Sequence, residues 1–273
     1  MPVSVNSLFI PGGKFFLIAG PCVLESTELH CVVARELLHV SKQLEIPVIF
    51  KASFDKANRR SGTSPRGPGL EHGLRLFREL KEEMPDVPVL TDIHEPEQAE
   101  MVAEVCDVLQ VPANLCRQTD LLQAAAATHL PLNLKKGQWV GVSEMQGAVA
   151  KVRKLRESPV VVTERGTFFG YGDLVVDMRN IPRLQRELRV PVVFDGTHSV
   201  QRPAQGRRGR SGGDRSCIAV LVRAAVAAGA NGLFLEVHPR PEAAPSDAES
   251  MLPLDELMPL MRDVMAIREA LYQ

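Results

Sequence analysis

Polar and ionisable residues recur in this chain at one kind of place, the end of a short apolar run. Cys22, Lys51, Asp92 with His94, Gln110, Lys135, Glu164 with Arg165, Asp195 with His198, and Glu236 with His238 each close such a run. Lys56, Arg59, Arg60, Arg66, Arg117 and Lys136 stand at or just beyond the same run ends. Fixed cations aimed into one cleft suit phosphates and carboxylates, with arginine giving bidentate contacts and lysine point charges. Their number implies more than one anionic group, such as two phosphorylated substrates. The competing reading is a surface of ordinary ion pairs, since Lys plus Arg number 32 against 33 for Asp plus Glu. Clustering at run ends favours the first. Cys22, directly after Gly20 and Pro21, also has two readings from the residues alone, a buried thiol or a metal ligand. His94 and His238 are either orienting groups or satisfied structural residues.

The elements that must position these residues are eight runs: "FFLIAG" (15–20), "PVIFKASF" (47–54), "VPVLTDI" (87–93), "VLQVPA" (108–113), "LPLNLKK" (130–136), "VVVTERG" (160–166), "PVVFDGT" (191–197) and "GLFLEVH" (232–238). Near-continuous apolar runs are expected of parallel strands covered on both faces. Amphipathic segments such as "LLQAAAATH" and "CIAVLVRAAVAAGA" lie between them. Eight strand–helix units predict an α/β protein, a (β/α)8 TIM barrel, with a doubly wound sheet as the alternative. No G-x-G-x-x-G follows the first run, which weakens a dinucleotide-binding version of that sheet. In a barrel all eight strand ends converge on the C-terminal mouth, where such enzymes keep their active sites. Residues 3–14 read as an N-terminal β-hairpin closing the barrel bottom, and residues 1–273 as one catalytic domain. The Gly- and Arg-rich stretch "SVQRPAQGRRGRSGGDR" (199–215) is either a lid whose arginines meet a phosphate or a plain connection.

Bulk properties narrow the class. A net charge of −1 argues against a general nucleic-acid or membrane binder. No apolar stretch reaches the roughly 18 residues of a membrane span. Five cysteines without close pairs, and an N-terminus without a basic–apolar signal pattern, predict a cytoplasmic protein with reduced thiols.

The motifs "IAGPCVLES", "FKASFDKANR", "RGPGLEHGL", "TDIHEP", "LQVPANLCRQTDLL", "LNLKKGQ", "TERG", "DMR", "FDGTHSVQ" and "EVHP" followed by "SDA" run in order through nearly the whole chain. Together they resemble the 3-deoxy-D-manno-octulosonate 8-phosphate synthases. The resemblance implies a homotetrameric (β/α)8 barrel that condenses phosphoenolpyruvate with D-arabinose 5-phosphate, releasing phosphate, in lipopolysaccharide inner-core synthesis. It implies that Lys51, Lys56, Gln110, Lys135 and Arg165 hold phosphoenolpyruvate. Asn58 and Arg59 would contact the aldose, and Arg117 its phosphate, from a neighbouring subunit if need be. "KANR" separates this family from the related heptulosonate synthases, which resemble "KPRT" there and take erythrose 4-phosphate. Two departures touch the aldose side: Arg60 stands where the family has Ser, and Asn114 where it has Phe.

The branch of this family that uses a metal has Cys at the end of the first strand. By that resemblance Cys22, His198, Glu236 and Asp247 form a site for Fe(II), Zn(II) or Mn(II), a mixed donor set that suits such ions. Lys56, His198 and Asp247 are the implied catalytic residues, with Lys56 protonating the nascent alkoxide.

Overall fold

The computed structural model describes residues 5–10, 12–58, 65–155, 159–203, 205 and 212–272. The eight apolar runs become eight parallel strands: β1 (Phe16–Gly20), β2 (Val48–Lys51), β3 (Val89–Asp92), β4 (Val108–Val111), β5 (Leu132–Lys135), β6 (Val160–Glu164), β7 (Val192–Asp195) and β8 (Gly232–His238). Each pairs with its successor, and β8 pairs back onto β1 from Phe16↔Gly232 to Gly20↔Glu236. First-to-last pairing closes a barrel and rules out the doubly wound alternative, whose outer strands would be edges. Every residue of these strands is buried, as both-face coverage demands.

Side-chain alternation divides the apolar residues into two sets. Leu17, Ala19, Phe50, Leu109, Val162 and Leu235 face the ring of helices. That ring runs from α2 (Thr27–Leu44) through α3 (Leu70–Glu83), α4 (Gln98–Ala103), α5 (Thr119–Ala127), α6 (Val142–Leu155), α7 (Asn180–Leu188) and α8 (Ile218–Ala227) to α9 (Leu257–Tyr272). The last helix packs between α8 and α2, so the ring closes where the barrel does. Phe16, Ile18, Ile49, Leu90, Val108, Val161, Val193 and Phe234 point inward and fill the lower barrel.

The N-terminal segment differs from its expectation. Val5–Leu8 form a single helical turn, α1, not the first arm of a hairpin; residues 3, 4 and 11 of the expected hairpin lie outside the described residues. Val5, Leu8 and Phe9, at i, i+3 and i+4, present one apolar face only when helical. That face plugs the barrel floor, with the Phe9 ring stacked on Phe16 at 5.4 Å between centroids.

Above β1 the chain is held closely to β2. A Cβ on Gly20 would lie 2.1 Å from the Lys51 carbonyl oxygen, so only glycine allows the approach. The Cys22 carbonyl then accepts from the Ser53 N–H (3.3 Å), and Ser26 caps α2 by accepting from the Leu29 N–H. His30, fully buried on α2, accepts the Glu25 N–H at Nε2 (2.9 Å) and lies edge-on to Phe50.

Burial pushes the His30 pKa down to about 4, so the folded state requires a neutral ring. The folded value lies below the unfolded one of roughly 6.5. Its contribution to stability is therefore complete above pH 6.5 and is lost as pH falls towards 4. His30→Gln, which keeps an acceptor for the Glu25 N–H, should flatten the stability–pH profile in that window by up to about 3 kcal/mol. Urea melts at pH 7 and pH 4.5 measure this, and an unchanged pH dependence would refute it.

Candidate active site

The C-terminal mouth of the barrel opens into a cavity of about 300 Å³ lined mainly by polar side chains, with Pro112, Ala113, Phe168 and Pro203 among them. Two lysines meet on its β2 side. Lys51 Nζ donates to Glu236 Oε1 (3.0 Å), Ser53 Oγ (3.0 Å) and the Cys22 carbonyl (3.3 Å). Lys56 Nζ donates to the same Ser53 hydroxyl (3.1 Å) and stands 3.7 Å from Glu236 Oε1. Ser53 Oγ in turn donates to Asp92 Oδ1 (2.5 Å), whose Oδ2 pairs with His94 Nε2 (3.0 Å).

Lys135 forms a second centre. Its ammonium is paired with Asp195 and sits 3.1 Å above the centre of the Phe234 ring. Asp195 also accepts from His198 Nδ1 (2.7 Å) and from the backbone N–H groups of Thr197 and His198. Burial drives the Lys135 pKa down to about 8 against the opposing pull of Asp195. Burial alone would raise the carboxyls of Asp92, Asp195 and Glu236, yet all three are held well below the usual range. The opposing causes are His94 with Lys51 for Asp92, His198 with Lys135 for Asp195, and Lys51 with His198 for Glu236. For Lys56 the desolvation cost is overcome by the acidic groups around it, the carboxylates of Glu236, Asp92 and Asp247 among them, and its pKa rises.

The third centre lies between β1 and β8. Cys22 Sγ donates to Asp247 Oδ2 (3.1 Å), and Asp247 is steadied by Ser246 Oγ (3.1 Å) and Gln201 Nε2 (3.1 Å). Gln201 in turn accepts from Arg165 Nη2 at 2.6 Å. Asp247 adopts a left-handed backbone, φ 51°, which turns its carboxylate back over the mouth. Donor atoms of Cys22, Glu236 and Asp247 all lie within 4.8 Å of one another, a spacing compatible with one shared ion. His198 Nε2 is 3.6 Å from Glu236 Oε1, at the rim of that cluster. One further observation fits a cation: among the described residues Glu236 Oε2 is buried without a hydrogen-bond partner.

The structure thus gathers Cys22, Lys51, Lys56, Asn58, Gln110, Lys135, Arg165, His198, Glu236 and Asp247 around one mouth. Arg117 is not among the cavity residues: it is exposed before α5, its carbonyl tied to Lys151 Nζ (2.8 Å). Arg59 and Arg60 lie outside the described residues. Lys136 faces away from the cleft, buried against Glu164 (3.4 Å), and Arg66 pairs with Asp55. Of the expected lid, 204 and 206–211 are outside the described residues. Gln201–Arg202 and Gly212–Gly213 form a short antiparallel ribbon at its base, where Arg202 pairs with Asp173 and Asp214. Cys31 and Cys106 are core residues, Cys116 is buried and Cys217 exposed. Sequence reasoning gave no role to Ser53, Gln201 or Ser246. Their only signal is position within the motifs "KASFDK", "THSVQ" and "SDA".

Comparison with known proteins agrees with this geometry. A sequence model described as the DAHP synthetase I family matches residues 2–271. The chain belongs to that family. Within the DAHP synthetase I family it is 51% identical to a 2-dehydro-3-deoxyphosphooctonate aldolase of Koribacter versatilis over 98% of this chain and 96% of the relative. Proteins of the same name from Syntrophotalea carbinolica (51% identity, 92% of this chain, 90% of the relative) and Bordetella pertussis (48%, 93% and 90%) are similarly close.

Gly20→Ala tests the join that carries Cys22. The added methyl must push β1 and β2 apart at Lys51, with a destabilisation of about 1–3 kcal/mol or more. It should also raise the rate at which Cys22 reacts with a thiol-directed disulfide reagent at least tenfold over the parent. An unchanged melting curve and unchanged thiol kinetics would contradict the close approach.

Proposed function

We propose that this chain condenses phosphoenolpyruvate with D-arabinose 5-phosphate and water, giving 3-deoxy-D-manno-octulosonate 8-phosphate and inorganic phosphate. The observation that carries the reading is the convergence of Lys51, Lys56, Gln110, Lys135 and Arg165, from four strand ends and the loop after β2, on one cavity that also contains Asn58. A small donor with a carboxylate and a phosphate suits the four fixed cations among them, and the name shared by the relatives supports the same chemistry. The product is the eight-carbon acid of the lipopolysaccharide inner core.

In the reaction C3 of phosphoenolpyruvate attacks the aldehyde carbon of the open-chain aldose, so no side-chain nucleophile is needed. Lys51, Lys135 and Arg165 fix the two anionic ends of the donor and aim its alkene. Lys56, kept charged by the carboxylates around it, gives a proton to the alkoxide that forms at the aldose carbon. Positive charge left at C2 is quenched by water, and cleavage of the C2–O bond then releases phosphate. Asn58, at the cavity rim, faces the aldose. Cys22, His198, Glu236 and Asp247 would hold a divalent Fe, Zn or Mn ion. Such an ion supplies Lewis acidity and a template for the aldose oxygens.

The same reading makes the protein a cytoplasmic homotetramer. Phe169 and Tyr171, almost wholly exposed on the loop after β6, are the kind of surface that oligomers cover. Arg117, away from its own cleft, would then serve the sugar phosphate bound in a neighbouring subunit.

Phosphate release should be rapid with arabinose 5-phosphate and at least 100-fold slower, as kcat/KM, with erythrose 4-phosphate. Faster turnover of the four-carbon sugar would instead assign a heptulosonate synthase. Chelation should abolish activity, and Fe(II), Mn(II) or Zn(II) should restore it; full activity in metal-free enzyme would remove the metal from the reading. Lys135→Met should lower kcat/KM at least 100-fold, a loss of about 2.7 kcal/mol in transition-state binding.

A further inference from the structure

The mouth also contains an arrangement that neither the donor site nor the aldose site uses. His238 is buried on β8, two residues beyond Glu236, and Glu25 lies three residues beyond Cys22. The two side chains meet, with His238 Nε2 3.2 Å from Glu25 Oε1. The other ring nitrogen fixes the tautomer: Nδ1 accepts the Arg240 N–H at 2.9 Å, so Nε2 carries the proton and faces the carboxylate. The Nε2–H lies off the straight line of a hydrogen bond, which leaves a buried donor whose nearest anion is Glu25. Glu25 is anchored from its other side, since its N–H is held by His30 Nε2 at 2.9 Å.

The two strands so joined are those that bear Cys22 and Glu236. They are neighbours in the closed barrel, with Gly20 opposite Glu236. Below that pair the strands are fixed by their own ladder. Above it the chain around Cys22 leaves the sheet; Lys51 ties the Cys22 carbonyl to Glu236, and the Glu25–His238 contact adds a direct bridge to β8. We propose that Glu25 and His238 are positioning residues that set the separation of the Cys22 sulfur from the Glu236 carboxylate, and thereby the affinity of the site for a divalent cation. This rests on the metal site of the preceding section. Outer groups that orient ligands typically change metal affinity by about 10–100-fold.

The test is Co(II) binding by the intact chain, read from the thiolate-to-metal absorption in the near ultraviolet and from competition with a chelator. His238→Asn keeps an acceptor near the Arg240 N–H but cannot reach Glu25, and should weaken Co(II) binding about tenfold or more. His238→Gln places an amide N–H near the old Nε2 position and should stay within about threefold of the parent, a rescue that loss of packing alone does not produce. Glu25→Gln removes the anion at a partly exposed position and repeats the test without altering the core. Melting of the metal-free variants separates the two kinds of effect: lower stability with unchanged Co(II) affinity would mean a structural contact only, and would overturn the proposal. Unchanged affinity in both His238→Asn and Glu25→Gln would overturn it as well. A parent chain that binds no Co(II) would overturn the metal site and this inference together.

Discussion

The mouth of this barrel is organised around one buried carboxylate. Glu236 has no exposed surface, yet its Oε1 is approached by Lys51, Lys56 and His198 at 3.0, 3.7 and 3.6 Å. Buried charges are tolerated only when paired, because each unpaired ion costs several kcal/mol of lost hydration. Lys51, itself almost wholly buried, has that anion as its charge partner at 3.0 Å. Lys51 and Lys56 therefore face a carboxylate that cannot move away. The ladder between β1 and β8, which places Gly20 opposite Glu236, is what keeps it there.

The same strands that build this charged layer build the apolar floor beneath it. Along β8, Phe234 and Glu236 point inward two residues apart, so the change from core to active site takes one step of the pleat. Lys135 rests on the face of Phe234, where the floor ends and the polar layer begins. Below it Phe16, Ile18 and the helical plug of Leu8 and Phe9 exclude water from the base. A barrel open at both ends would hydrate these charges and weaken every contact among them.

Much of this was legible in the sequence, for definite reasons. Strands covered on both faces must be apolar throughout, so the eight runs stood out, and the inward-facing polar residues at their ends reach the mouth. The family resemblance named Cys22, Glu236 and Asp247 together, and closure makes the first and last strands neighbours, so that the three can meet. What sequence did not convey was direction. Lys135 and Lys136 look equivalent in "NLKKGQ", but consecutive strand residues face opposite ways, and the second pairs with Glu164 outside the cleft. Arg165 and Glu164 divide in the same manner. Ser53 and Gln201 carry no periodic signature, since one hydroxyl or amide becomes an organiser only through the groups that fold against it. The N-terminal turn was misread because alternation in "VSVNS" imitates a strand, whereas filling the floor selects a helical face.

Lys135 has one consequence beyond geometry. With its pKa near 8, a small fraction of the enzyme at neutral pH carries the amine unprotonated, and the fraction grows in mildly alkaline solution. An anion bound beside it would select the ammonium form and so draw a fraction of a proton from the medium. The heat of such binding would vary with the ionisation enthalpy of the buffer, in proportion to the share of amine that the pH leaves unprotonated.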